Sequence, residues 1–549
     1  MRHRVQILGL LIGAVGLAAD VNNCSAELCQ LTASGTLADL RWPDFHDLHD
    51  DAGRLYKFTG YAPLWVRDGA PTPTALKVIA ALKDARSEGL DPEDYDGSRW
   101  DGRISGLGNR AFPAERFDLA LTVSAMRYAA DLRFGRANPE GRPSDGLVLD
   151  AWVLERLLPS NDPAAVFQEL DPPFPAYQRL RKKLGDYRML AAEDSGEKLP
   201  QTKKPVEPGQ NYPGIARLTT LLQRLGDLPP EAPASSETGG SGDSQTYQGA
   251  LVDAVKHYQA RHGLDADGRI GSGTVAALNV CLDHRARQLE LAMERYRWIP
   301  RDSSRPSIVV NIPEFRLRAF DPSGGQPVLD MKVVTGQAQQ LQTPVFGADM
   351  RYVIFRPYWN VPVTIVRKEV LPAITRDRSY LEKNDYEVTT PAGKVVSSGA
   401  VSDQILAGLR SGKLEVRQRP GPKNALGGVK FVLPNENDVY LHDTPARSLF
   451  SRTRRDFSHG CIRLEKPVDL AVWVLRDRPE WTRDKIEEAM NGSMPVQVPL
   501  SNPIPVSIVY WTAVVAEDGT TYFFNDIYGQ DEELDRQITS GGYGPRPRG

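Results

Sequence analysis

Only four cysteines occur in 549 residues: Cys24, Cys29, Cys281 and Cys461. Charge of one sign is also missing in bulk. The formal net charge is -3, so the overall balance points to neither nucleic acid nor a membrane surface as a partner. After the first twenty residues no apolar run reaches the length of a membrane span. No H-E-x-x-H helix and no C-x-x-C pair is present, so the common zinc signatures are absent. Hydrophobic residues make up 41% and charged residues 25%, which places the chain among ordinary globular proteins. The length suffices for two to four domains.

The N-terminus has its own pattern. Arg2 and Arg4 precede the apolar run Val5 to Ala19, and small residues Ala18 and Ala19 close it. That order reads as a secretory signal peptide, residues 1–19. The alternative is an uncleaved anchor, which would be the one link to a membrane. The expected location is the periplasm. Export matters for the cysteines, because structural cysteines pair in an oxidising compartment. Cys24 and Cys29 are spaced to bridge each other. Cys281 lies among Ala277, Leu278 and Val280 and is expected to be buried. Cys461 is left as a candidate reactive thiol.

The chain reads as multidomain α+β. Residues 37–210 read as a helical scaffold domain. Ala75, Val78, Ile79 and Leu82 fall on one helix face, with Gly89 as the expected stop. Asp118 to Leu132 gives a second helix, with Leu121, Ala125, Tyr128 and Leu132 on one stripe. Ser195 to Pro213 reads as a linker. A small three-helix domain follows at 211–280, interrupted by the low-complexity loop Glu231 to Gln245. Arg285 to Trp298 is helical by period. From Ser307 the period becomes two: Ile308, Val310 and Ile312 alternate. Val429, Phe431 and Leu433 alternate likewise, then Asn435 to Asp438 turns the chain into Val439 and Leu441. A mostly-β, sandwich-like domain is therefore expected over 305–500, with a charged insertion at about 367–418 lying near its site as a lid. Residues 501–549 read as a C-terminal β extension with a disordered tail.

The chemistry concentrates in "SHGCIRL", Ser458 to Leu464. A thiolate attacks carbonyls far better than a thiol, so a catalytic Cys461 needs a base nearby. His442 ends a strand nineteen residues upstream; His459 is the second candidate. Gly460 permits a turn that would aim the N–H groups of Gly460 and Cys461 at an oxyanion. Arg463 offers a planar fork suited to a carboxylate. Blander readings exist for each. Cys461 could be inert packing. His442 could pair with Asp443, and Arg463 with Glu465 or Asp469. His442, Asp443, His459 and Cys461 could also hold zinc.

"YLHDTP…SHGCIRL" resembles the signature of the L,D-transpeptidases with a YkuD-type catalytic domain. There the pattern runs histidine, a loop, then Ser/Thr-His-Gly-Cys-x-Arg. His442, Ser458, His459, Gly460, Cys461 and Arg463 match it in order. "YWNVPVTIVRKEVLP", "RPGPKNALGGVKFVLPN", "LYKFTGYAPLW…SEGLDPEDY" and "VYWTAVVAEDGTTYFFNDIYG" resemble the large branch of that family, with its helical scaffold and capping insertion. Val255, Tyr258, Gln259, Gly263-Leu264, Asp267-Gly268, Ile270-Gly271, Thr274 and Ala277-Leu278-Asn279 resemble a peptidoglycan-binding domain. Asp443 departs from the glycine or serine common after the histidine.

The resemblance implies acyl transfer on peptidoglycan stem peptides. Cys461 would be the nucleophile, His442 the base and Gly460 part of the oxyanion turn. His459, Arg463, Trp359, Asn360 and Tyr440 would line the substrate pocket. A 3→3 cross-link would form through a thioester, with release of D-alanine. No cofactor or metal is implied, and carbapenem-type β-lactams would acylate Cys461. An L,D-carboxypeptidase or hydrolase would share the acyl-enzyme and differ only in the acceptor. A non-catalytic peptidoglycan-binding scaffold is the remaining alternative.

Overall fold

The computed structural model describes residues 27–139, 147–230, 245–302, 304–322, 325–339, 341–399 and 401–540. The expected signal peptide, Cys24, most of the low-complexity loop and the last nine residues lie outside the described residues. Cys29 is disulfide-bonded. The chain divides into two compact units, one ending at Asp171 and the other running Pro172–Thr539. Among the described residues no helix is long and apolar enough to cross a membrane.

The first unit is helical and built around Ala114–Phe134, a helix buried on nearly every side. It was expected as a stripe; burial all round makes it the central element instead. Pro73–Lys83 buries Ala75, Val78, Ile79 and Leu82, and the Thr72 side chain caps it by accepting from Ala75 N–H. It ends earlier than Gly89. A separate 3-10 turn, Ala85–Glu88, follows, and Gly89 (φ +71°) caps that turn. Asp118 ties the unit together. Its carboxylate accepts from the Leu64 and Trp65 backbones and from the Tyr56 hydroxyl.

In the second unit, Ile215–Arg224, Ala250–Arg261 and Ser272–Leu278 form the three-helix domain. The Gln259 side chain holds its glycine-rich turn, donating to Arg269 O and accepting from Gly268 N–H. The expected linker is partly a packed leg. Leu199, Val206 and Tyr212 enter the core of these helices, and Val206 bridges Ile270. The helix Pro175–Glu193, expected with the scaffold, shares a core with Leu282–Tyr296 and the hairpin Ala513–Val515/Thr521–Phe523. The reason is its stripe of Tyr177, Leu180 and Leu184, which meets Leu289, Ala292 and Met293. Cys281 is exposed, not buried. It is the extended residue preceding Leu282–Tyr296, so Leu278 and Leu282 turn inward while it does not.

The β domain is one rolled sheet of nine strands: β1 Ser307–Asn311, β2 Arg316–Phe320, β3 Leu329–Gly336, β4 Phe346–Phe355, β5 Val429–Val432, β6 Leu441–His442, β7 Asp456–Ser458, β8 Ile462–Leu464 and β9 Val496–Val509. Their order is β7-β3-β8-β6-β5-β4-β9-β1-β2, and β2 pairs back onto β3. The eight strands other than β7 therefore close into a ring, which leaves β7 as the sheet's one edge strand. Inside lie Ile308, Val310, Val333, Val353, Phe431, Leu441 and Ile462, covered at one end by the helix Pro467–Val474. The fold class is the multidomain α+β arrangement expected from sequence. The proposed break at 500 falls inside β9, which pairs with β4 and β1 along its length. Beyond the hairpin a helix, Gln530–Ser540, was not anticipated.

The insertion is a subdomain with a core of its own, including Val370, Ile374, Val388, Leu406 and Val416. Its four-stranded sheet takes in Trp359–Asn360, which pairs with Glu415–Gln418. The insertion thus starts some eight residues before Arg367, because the short strand at Trp359 is already part of its sheet.

Candidate active site

Strand register assembles the site. Across the antiparallel pair β5–β6, Lys430 stands opposite His442. Across the parallel pair β6–β8, Arg463 stands beside His442. Side chains alternate along a strand, so Tyr440 and Cys461 share the face of His442 and Arg463. Leu441, Ile462 and Phe431 take the other face and fill the core. The hydrophobic pattern that builds the sheet thereby pushes the polar set outward, toward the insertion.

Cys461 enters β8 through a tight turn. Gly460 has φ +115°, a conformation that side-chain-bearing residues rarely adopt. Ser458 staples the turn: its Oγ accepts from Gly460 N–H at 3.2 Å and donates to Cys461 O at 2.6 Å. This corrects one expectation. The Gly460 N–H is bound to Ser458 and does not point at a forming oxyanion. Below the turn, Thr343 Oγ1 donates to Gly460 O at 2.8 Å and accepts from Gly336 N–H at 2.9 Å. The Tyr528 hydroxyl donates to Gly336 O at 2.6 Å.

His442 is buried. Its Nδ1 lies 2.5 Å from Asp443 O. A carbonyl can only accept, so Nδ1 carries the proton and Nε2 is left with a free lone pair. Burial, reinforced by the Arg463 and Lys430 cations on either side, holds the imidazole pKa down to about 3. The ring is therefore neutral at ordinary pH. Burial pushes the Cys461 thiol up, while the backbone N–H and hydroxyl of Tyr440 and the Lys430 charge pull the other way. The thiol sulfur is 3.7 Å from Asp438 O.

Asp443 supplies that carbonyl to His442 and turns its carboxylate away. The carboxylate accepts from Gly428 N–H, Thr444 N–H and Arg447. The departure at this position thus leaves the histidine's partner intact. A Cβ on Gly427 (φ +60°) would sit 2.3 Å from Asp443 Oδ2, which explains the glycine there. With Asp443 engaged in this way, the zinc reading loses a ligand. Among the described residues no three His, Cys, Asp or Glu side chains are grouped to hold a metal ion.

The remaining candidates divide. His459 Nε2 is 2.5 Å from Glu369 Oε1, on the π-turn Val366–Val370 of the insertion, so it reaches to the insertion. The Trp359 side chain lies near the Tyr440 hydroxyl, which in turn lies near Cys461. Asn360 is exposed, on the opposite face of its two-residue strand from Trp359. The structure brings Trp359 to the site and leaves Asn360 outside it. Arg463 keeps a buried Nε without a hydrogen-bond partner. The carboxylates once weighed as its partners are used elsewhere: Glu465 accepts from Lys332 N–H and Asp469 pairs with Arg483.

Sequence reasoning missed Lys430, Glu369, Thr343 and Tyr528. Lys430 alone had a readable signal, since it alternates with the inward Val429 and Phe431. A turn of Asn435–Asp438 would have set it opposite Asp443. The actual register, one residue different, sets it opposite His442.

Comparison with known proteins fits this geometry. Residues 305–498 match the YkuD family, described as "L,D-transpeptidase catalytic domain". Residues 50–184 match a "Scaffold domain" and residues 211–278 a "Putative peptidoglycan binding domain". A Haemophilus influenzae protein described as "Putative L,D-transpeptidase" is 31% identical over 248 residues, 45% of this chain and 49% of its own. The chain thus spans about half the length of that curated relative.

Proposed function

From a chain that carries a YkuD L,D-transpeptidase catalytic domain beside a peptidoglycan-binding domain, we propose a cysteine acyltransferase that forms 3→3 cross-links between peptidoglycan stem peptides, outside the cytoplasm. The observation that carries this reading is the placement of a neutral, oriented His442 and of Cys461 on one face of adjacent strands. The Cys461 thiol gives its proton to His442 Nε2 as the sulfur bonds to the carbonyl carbon of the L-centre in a donor tetrapeptide. Burial keeps the resting thiol protonated, so proton transfer accompanies attack. The Tyr440 hydroxyl, near the sulfur, and the Cys461 N–H support the oxyanion. The intermediate collapses, the C–N bond breaks, and His442 returns the proton to the departing D-alanine. A thioester remains. The side-chain amine of a second stem loses its proton to His442, attacks, and releases the thiol. Arg463, a cation with an unused donor, holds a substrate carboxylate. Trp359 lines the pocket, and His459 anchors the insertion above it. Carbapenem-type β-lactams would acylate Cys461 by the same route.

The test is product analysis with purified tetrapeptide muropeptides. Wild type is expected to give cross-linked dimers and free D-alanine, and Cys461→Ala neither. Tripeptides without dimers would instead make the enzyme an L,D-carboxypeptidase.

A further inference from the structure

A base that is neutral at rest cannot be the standing counter-charge of a thiolate. His442 is in that position. Its Nδ1 proton is committed to Asp443 O, and two cations flank it in register. A third positive charge there meets repulsion from both sides. Some other group must balance negative charge on the sulfur.

The charged and titratable groups facing Cys461 are few. From β6 come Tyr440 and His442; from β5 comes Lys430; from β8 itself comes Arg463. From the turn before β6 comes Asp438, whose charge opposes a thiolate. His459, two residues back, is paired with Glu369 of the insertion. Arg463 is the group suited to a substrate carboxylate. Lys430 is left. A lysine on an outward strand position normally extends its ammonium into water. Here the ammonium lies 3.7 Å from the centroid of the Tyr440 ring, half-buried. A cation on an aromatic face recovers part of its lost hydration. Tyr440 in turn lies beside Cys461, because Ile462 N–H donates to Tyr440 O at 3.1 Å.

We propose that Lys430 is a positioning residue for Cys461: its ammonium, seated on the Tyr440 ring in the strand beside His442, supports negative charge on the sulfur. The proposal rests on the reading of Cys461 as the acylated residue, but its test does not need turnover. The full chain is alkylated with iodoacetamide across a pH series, and each cysteine is followed by peptide mass spectrometry. Exposed Cys281 serves as an internal control. Lys430→Met is expected to move the Cys461 midpoint up by about one pH unit, roughly a tenfold slower reaction at neutral pH. Lys430→Gln should do the same, and Lys430→Arg should restore the wild-type midpoint to within about threefold in rate. Cys281 should not change. Thermal melting shows which variants are folded, and the two neutral variants back each other up. A Cys461 midpoint unmoved in a folded neutral variant, or a shift that arginine does not reverse, overturns the proposal. If the shift appears but wild type forms no acyl-enzyme with tetrapeptide, the transpeptidase reading fails and the role of Lys430 stands.

Discussion

Replacing His442 with alanine is expected to slow acylation of Cys461 by about a thousandfold, the usual scale for removing a well-placed general base. The loss should fall on the chemical step, because His442 lies beneath the substrate face with its Nδ1 tied to Asp443 O. Single-turnover acylation by a carbapenem reads it directly. The pH profile gives a second check. With the imidazole held down to about 3, kcat/KM should stay free of a histidine limb between pH 5 and 7. An acid limb near 6.5 would contradict the assignment. The same shift governs stability, and its sign is fixed. Above pH 6.5 neither state protonates this histidine, and the stabilising contribution is complete. As pH falls from 6.5 toward 3 the unfolded chain takes up a proton that the folded chain refuses, so the contribution is lost. His442→Gln should flatten that decline.

The second large effect is expected at Gly336, at the end of β3. A Cβ built there lies 2.0 Å from Leu341 O and 2.8 Å from Thr343 N. The facing backbone at 341–343 must move to admit one methyl group. Thr343 is the residue whose hydroxyl holds Gly460 O, and Tyr528 holds Gly336 O from the other side. Gly336→Ala should therefore displace the turn that carries Cys461. A shift of about 1 Å at a reacting atom costs roughly a hundredfold in rate, and the strain should lower stability by about 2–4 kcal/mol. Gly347→Ala in β4 is the control, since nothing lies within 4 Å of its added Cβ. Thermal melting and acylation rates of the two variants make the comparison. A wild-type rate in Gly336→Ala would show that the Thr343 support is dispensable.

What could be read from the chain and what could not follow from one distinction. Patterns written in consecutive residues were legible: the alternation of Ile308, Val310 and Ile312, the helix face from Ala75 to Leu82, the histidine–loop–cysteine order. Their burial is periodic and local. Features set by meetings of distant segments were not. Tyr528 reaches Gly336 across nearly two hundred residues, and Glu369 meets His459 across ninety. Nothing local marks either. The Gly460 turn lay between these cases. Its glycine announced a positive φ, but a serine hydroxyl two residues back claims the N–H that the oxyanion was expected to use. Lys430 depended on register, and a one-residue difference in a hairpin loop exchanges Asp443 for His442 as its neighbour. The helix Pro175–Glu193 shows the same limit at larger scale. Its stripe was plain, but not the partner that would cover it.

The central claim is that Cys461 carries the acyl group. Intact-protein mass spectrometry after brief incubation with a tetrapeptide muropeptide and no acceptor tests it most directly. The account predicts an adduct equal to the donor minus D-alanine, mapped by proteolysis to the peptide containing Cys461 and absent from Cys461→Ala. An adduct that persists in Cys461→Ala, or one mapped to Cys281, would contradict it.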